Sequence, residues 1–74
     1  MIDKNTFDYL WNLHEACGLA EKLGYEENYL DGAGVSEGYI KEMEDKISNL
    51  VGKNWPKEVQ DSYKRGLAQG SYES

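Results

Sequence analysis

Three side chains near the start of the chain carry atoms that can bind metal ions or act as nucleophiles. His14 and Cys17 are three residues apart, and Glu21 follows four residues later. Residues at this spacing share one face of a helix, so an imidazole, a thiol and a carboxylate would lie together. A structural zinc site needs four ligands, however, and the chain has one cysteine and one histidine. We therefore interpret the group as a half-buried helix face, and we expect no metal, no cofactor and no Cys–His catalysis.

Carboxylates are the second group of side chains that could take part in catalysis or binding. The chain has 14 acidic and 8 basic side chains, giving a formal net charge of −6. Residues 25–45 hold seven of the acids against one basic residue, Lys41. Catalytic carboxylates usually sit in a cleft that separates their pKa values, whereas most of these acids fall on faces expected to be exposed. We expect that the protein is not an enzyme.

The acidic segment instead predicts a surface that binds a basic partner. Clustered carboxylates repel one another, and a partner of opposite charge offsets that repulsion. Tyrosines flank two of the acids, and tyrosine is enriched at binding hot spots. The alternatives are that the acids only keep a small protein in solution and that the tyrosines pack on the core. The predicted partner-binding residues are Tyr25, Glu26, Glu27, Tyr29, Asp31, Glu37, Glu44 and Asp45.

Three amphipathic segments must position these side chains, and none alternates as a β-strand would. The spacing of apolar residues predicts helices near 5–23, 36–51 and 55–68, and it allows one more helical turn near 26–30. The simplest assembly is an all-α, small three-helix bundle. We expect a single domain over residues 1–74, with a mobile tail at 70–74.

Glycine, serine and proline set the predicted ends of these helices. Gly24 is expected to end the first helix, because glycine adopts a positive φ without strain. Ser36 is the predicted N-cap of the second helix, and Gly52 closes it. Pro56 is predicted at the first position of the third helix. Gly66 should weaken that helix by about 1 kcal/mol relative to alanine, so its last part is expected to fray.

Composition narrows the class of protein and the cellular compartment that we expect. One cysteine cannot form an intramolecular disulfide, and the start of the chain is too polar for a signal peptide. No run is apolar enough to span a membrane. We therefore expect a cytoplasmic protein without membrane contact. Direct binding of nucleic acid is not expected of the surface as a whole, because phosphates attract lysine and arginine rather than acids.

In size and charge alone, with no shared motif, the chain resembles the small acidic proteins that phages encode against host defences, including anti-CRISPR and DNA-mimic anti-restriction proteins. The resemblance implies a stoichiometric inhibitor in the host cytoplasm, whose carboxylates imitate phosphates and occupy the basic channel of a nuclease or effector. Two other functions stay open. One is a helical transcription regulator that binds DNA through helix 56–68, with Lys57, Lys64 and Arg65; the other is an antitoxin-like accessory subunit. The wide apolar stripe of helix 5–23 would also suit a homodimer.

Overall fold

The computed structural model describes residues 3–29 and 36–73, which form three helices: α1 (Lys4–Asn28), α2 (Glu37–Val51) and α3 (Lys57–Glu73). The described residues contain no strand. The predicted all-α, three-helix fold is therefore confirmed. No helix in these two ranges is long and apolar enough to cross a membrane.

Helix α1 is longer than the sequence predicts. Its N-cap is Asp3, whose Oδ1 accepts a hydrogen bond from the Thr6 amide at 2.8 Å. The prediction that Gly24 ends the helix is wrong, because the helix continues through Gly24 to Asn28. Gly24 is buried, and a Cβ built on it would lie 2.8 Å from the backbone nitrogen of Leu67 in α3. The residue is a glycine because another backbone passes beside it, and not because the chain turns there.

Small residues let α1 and α3 pack unusually closely. Gly66 of α3 faces the backbone between Glu21 and Tyr25 of α1, and Gly70 faces the backbone near Tyr25 and Asn28. The two contact points advance in the same direction along both helices, so α1 and α3 run parallel. Two rows of small residues with a spacing of four meet here: Ala16, Ala20 and Gly24 of α1, and Ser62, Gly66 and Gly70 of α3, all of them buried.

Both ends of α3 differ from the prediction. The helix begins at Lys57, and the Pro56 carbonyl accepts from the Val59 and Gln60 amides, so Pro56 precedes the first helical residue. The helix then continues past Gly66 to Glu73 instead of ending near 68. Residues 70–73, predicted as part of a tail, are helical, and Gly70 is buried against α1. Close packing compensates for the low helix propensity of the glycines.

Helix α2 follows its prediction closely. The Tyr39 amide donates to Ser36 Oγ at 3.1 Å, which confirms the N-cap. Gly52 has a φ of 94° and its amide donates to the Ser48 carbonyl, which confirms the C-terminal cap. The two buried residues of α2, Met43 and Ile47, belong to the predicted apolar stripe.

Helix α2 runs antiparallel to α1. Leu19 of α1 lies beside Leu50 near the end of α2, and Glu26 lies beside Tyr39 near its start. Together the helices enclose a small core of Ala16, Ala20, Leu23, Met43, Ile47 and Val59.

The segment between α2 and α3 closes one side of this core with an aromatic pair. Trp55 donates from Nε1 to Ser48 Oγ at 3.3 Å, and its ring meets the edge of Tyr63 at 6.1 Å between centroids. Trp55 thus links the end of α2 to α3.

Candidate protein-binding surfaces

The outer side of α2 presents an acidic face, which we define as Glu37, Glu44 and Asp45. All three residues are exposed, and among the described residues none of them forms an ion pair. Glu42 does form an ion pair within the described part of the chain, with its Oε1 3.8 Å from Lys46 Nζ. The second i,i+4 pairing that the sequence allows, between Glu37 and Lys41, does not form. The negative charge of this face is therefore not compensated within the described chain.

Glu26 and Glu27, also predicted to bind a partner, are bound to tyrosines of the neighbouring helices. Both are half-buried near the end of α1. Tyr63 Oη of α3 donates to Glu27 Oε2, and Tyr39 of α2 hydrogen-bonds with Glu26. The two carboxylates thus connect α1 to both other helices, a role that requires α1 to continue past Gly24.

These contacts raise the pKa values of the two tyrosine phenols. The hydrogen bond to Glu26, followed by burial, raises the pKa of Tyr39. Burial, followed by the hydrogen bond to Glu27, raises the pKa of Tyr63 to about 12. The charge of Glu44 adds to the effect on Tyr63. In both cases a phenolate would lie beside a carboxylate, which raises the pKa, and at Tyr63 burial is the larger cause.

Two of the remaining predicted residues, Tyr25 and Tyr29, lie at the C-terminal end of α1. Tyr25 is half-buried and stacks on Tyr29, with ring centroids 5.3 Å apart and planes inclined by 14°. Tyr29 is the C-cap of α1. Asp31 lies outside the described residues. The stacked pair stands at the contact with α3, because the backbone of Tyr25 and Tyr29 adjoins Gly70.

The His14, Cys17 and Glu21 group is spread over different environments. His14 is exposed and its ring lies 6.1 Å from that of Trp11, whereas Cys17 is half-buried against the core. Glu21 Oε2 lies 3.7 Å from Arg65 Nη1 of α3. Within residues 3–29 and 36–73, no three histidine, cysteine or acidic side chains come close enough to hold a metal ion.

The bases of α3 do not form one continuous surface. Arg65 is engaged with Glu21. Lys57 and Lys64 are exposed, but exposed Asp61 lies four residues after the first and three before the second, and so shares their side of the helix. A phosphate backbone would meet an acid between the two lysines.

A second surface, which contains none of the predicted partner-binding residues, lies at the N-terminal end of α1. Residues 3–11 are all exposed. On one side of this segment Phe7, Leu10, Trp11 and His14 line an open groove of about 390 Å³. We call these four residues the α1 stripe. The sequence did contain a signal for it, because the apolar residues of this segment occupy more of the helix circumference than one contact requires.

The structure thus defines a small three-helix protein with an acidic face on α2 and an apolar stripe on α1. No protein-family model, curated protein or solved structure matches this chain. Its function must therefore be argued from these two surfaces.

Proposed function

We propose that the chain is a non-enzymatic protein-binding module whose acidic face docks a basic, nucleic-acid-binding partner. In this proposal the chain acts as a small acidic inhibitor of the phage anti-defence type, with carboxylates in the place of phosphates. The observation that supports it is the state of Glu37, Glu44 and Asp45, which are exposed and without ion pairs, while Glu42 and Glu21 are paired with bases. Exposed charge of one sign speeds the encounter with an oppositely charged partner and orients it.

The spacing of the acids supports the nucleic-acid-mimic part of the proposal. Glu37 and Glu44 are seven residues apart on one flank of α2, which corresponds to about 10.5 Å along the helix axis. Three nucleotides of one DNA strand advance by about 10.2 Å. Asp45 adds a charge beside Glu44. A basic groove that binds phosphates three nucleotides apart on one strand would therefore match the spacing of Glu37 and Glu44.

The structure also sharpens which acids a test should change. Substituting Glu26 or Glu27 would disturb the contacts with Tyr39 and Tyr63, so a loss of binding could follow from altered helix packing. Glu44 and Asp45 are exposed and offer a cleaner test.

The experiment uses the whole chain, immobilised and exposed to a host lysate at low and high salt. The captured partner is purified, and its affinity is measured for the E44Q/D45N variant. The matched control is E58Q/D61N, which removes one exposed glutamate and one exposed aspartate from α3 and changes the net charge equally. Exposed charge pairs contribute about 0.2–1 kcal/mol each, so we expect E44Q/D45N to weaken binding by roughly 2- to 30-fold.

Three further results decide the proposal. Affinity should fall with rising salt, the partner's own nucleic acid should compete, and E58Q/D61N should bind nearly as the unmodified chain does. Equal losses in the two double variants would show that only bulk charge matters. Binding that neither salt nor E44Q/D45N changes would refute the acidic face. Direct binding of duplex DNA by the purified chain would favour a transcription regulator instead.

A further inference from the structure

The first turns of α1 extend beyond the bundle without support from other helices. Residues 3–11 are exposed on every side, although α1 is capped at Asp3 and helical from Lys4. Phe7 is 57%, Leu10 45% and Trp11 55% exposed. A short helical segment gains most of its stability from packing its apolar side, so large apolar residues here indicate a contact that a single chain does not provide.

The indole N–H of Trp11, in the centre of the α1 stripe, already has an acceptor. Trp11 Nε1 donates to Glu15 Oε1 at 3.0 Å within the same helix. Covering the indole ring would therefore not leave its N–H without an acceptor, and the partner need not offer one. The surface that can contact Trp11 is its apolar ring, beside Phe7 and Leu10.

We propose that the α1 stripe binds a second copy of this chain, through an antiparallel α1–α1 contact centred between Leu10 and Trp11. A twofold contact needs a surface that is complementary to itself, and an apolar stripe flanked by polar residues meets that condition. The stripe then packs on its own copy, so that Phe7 of each chain lies opposite His14 of the other.

The area of the stripe is sufficient for a weak dimer. Aromatic side chains bury roughly 150–250 Å² each when fully covered, so half-exposed side chains offer about 100 Å² each. Four such side chains from each of two copies supply about 800 Å², and flanking residues such as Lys4 and Gly18 extend the contact. Stable interfaces bury about 1,200–2,000 Å² in total, and weaker associations bury less. Area alone does not set affinity, so we expect only a weak association, detectable between about 10 µM and 1 mM.

Charge selects the antiparallel orientation. A parallel twofold pair would set each residue of α1 against its own copy, including Lys4 against Lys4 and, further along, Lys22 against Lys22. An antiparallel pair centred on Leu10 and Trp11 leaves Lys22 outside the contact.

Sedimentation equilibrium of the whole chain, from about 10 µM to 1 mM, tests the proposal. The average mass should rise from 8.4 kDa towards twice that value. The L10E variant should weaken association at least tenfold. Tyr9 is 51% exposed and lies on the other side of the same helix, so Y9E is the matched control and should leave association within about twofold. Circular dichroism of each variant confirms that the helices are intact.

A cross-linking experiment tests the orientation. Cys17 is replaced by serine, and a single cysteine is placed at Leu10 or at Phe7. The L10C variant should form a disulfide-linked dimer under mild oxidation much faster than F7C, because only the centre of an antiparallel pair brings equal positions together. Equal rates for the two variants would overturn the antiparallel arrangement. A chain that stays monomeric at 1 mM, or a dimer disrupted as strongly by Y9E as by L10E, would overturn the α1 stripe as the contact.

Discussion

Replacing Gly66 by alanine should destabilise the protein, although helix propensity alone predicts the opposite. Gly66 lies inside α3, where alanine is favoured over glycine by about 1 kcal/mol. A Cβ at this position, however, would lie 2.9 Å from both the Glu21 carbonyl carbon and the Tyr25 nitrogen, and closer still to the Glu21 carbonyl oxygen. All three obstacles are backbone atoms of α1, so no side-chain rotation can make room.

The size of the effect follows from the separation that the methyl group requires. Carbon atoms in contact lie about 3.5–4.0 Å apart, so α1 and α3 must separate by about 1 Å. A gap of that size removes a quarter to a half of the dispersion attraction across the contact. Overpacking costs about 1–3 kcal/mol, and the rigid obstacle places Gly66 at the upper end of that range. After the gain in helix propensity, we expect a net loss of about 2 kcal/mol.

Thermal and urea unfolding followed by circular dichroism measure this loss. A chain of this length has a total stability of about 4–11 kcal/mol, so a loss of about 2 kcal/mol is a large fraction of it. The midpoint of thermal unfolding should fall by roughly 8–16 °C. The measurement is made at about 10 µM, where self-association contributes little.

Gly18 supplies the matched control, because it lies in α1, is exposed, and has no atom within 4 Å of an added Cβ. The G18A variant should be more stable than the unmodified chain by up to about 1 kcal/mol. The reasoning fails if G66A is as stable as G18A, since the close approach of α1 and α3 would then not exist. It fails also if G18A loses as much stability as G66A.

Three other residues allow separate predictions about stability and its dependence on pH. The raised pKa of Tyr63, about 12, means that the folded state holds its phenol proton more tightly than the unfolded state does. The contribution of this group to stability is therefore full below pH 10 and is lost between pH 10 and about 12. The unfolding free energy of Y63F should lack this part of the pH dependence. Hydrogen bonds from Thr6 lower the pKa of Asp3, so the first turn of α1 should loosen as the pH falls below the ordinary aspartate range. The protection of the Thr6 amide against hydrogen exchange, relative to the intrinsic rate at each pH, should then fall, and unchanged protection would argue against the cap. Asn28 Nδ2 donates to the Leu67 carbonyl at 3.0 Å, so N28A should cost about 1 kcal/mol in urea unfolding, and an unaltered midpoint would contradict that contact.

Helix α2 shows what sequence pattern predicts well. Ser36 and Gly52 confirm their predicted capping roles, and Met43 and Ile47 are buried as their spacing indicates. Each of these features depends on residues within a few positions along the same helix. Local rules therefore suffice for an amphipathic helix with a standard cap at each end.

The close contact between α1 and α3 could not be predicted from the sequence by such local rules. A glycine near the end of an apolar stripe has two physical meanings: a turn with positive φ, or a place where another backbone passes. At Gly24 and Gly66 the second meaning applies, and it depends on a helix far away in sequence. The available signal was the spacing of four between small residues in each helix, which becomes meaningful only when the two rows are considered together.

The error at Gly24 carried over to the predicted binding surface. With α1 expected to end at 23, Glu26 and Glu27 belong to a separate segment that allows one helical turn near 26–30, and they count as free carboxylates. With α1 continuing to Asn28, they become helical residues that reach Tyr39 and Tyr63. The predicted acids therefore divide into a pair engaged in helix packing and an exposed group on α2.

The two proposed surfaces lie on different helices, so variants can test each without altering the other. L10E changes the α1 stripe and leaves Glu44 and Asp45 in place, whereas E44Q/D45N does the reverse. If two copies bind one extended basic groove, L10E should weaken binding of that partner at high chain concentration and not at concentrations far below the dimer dissociation constant. If the loss is the same at both concentrations, Leu10 contacts the partner directly, and the stripe is then part of the partner-binding surface rather than a dimer contact.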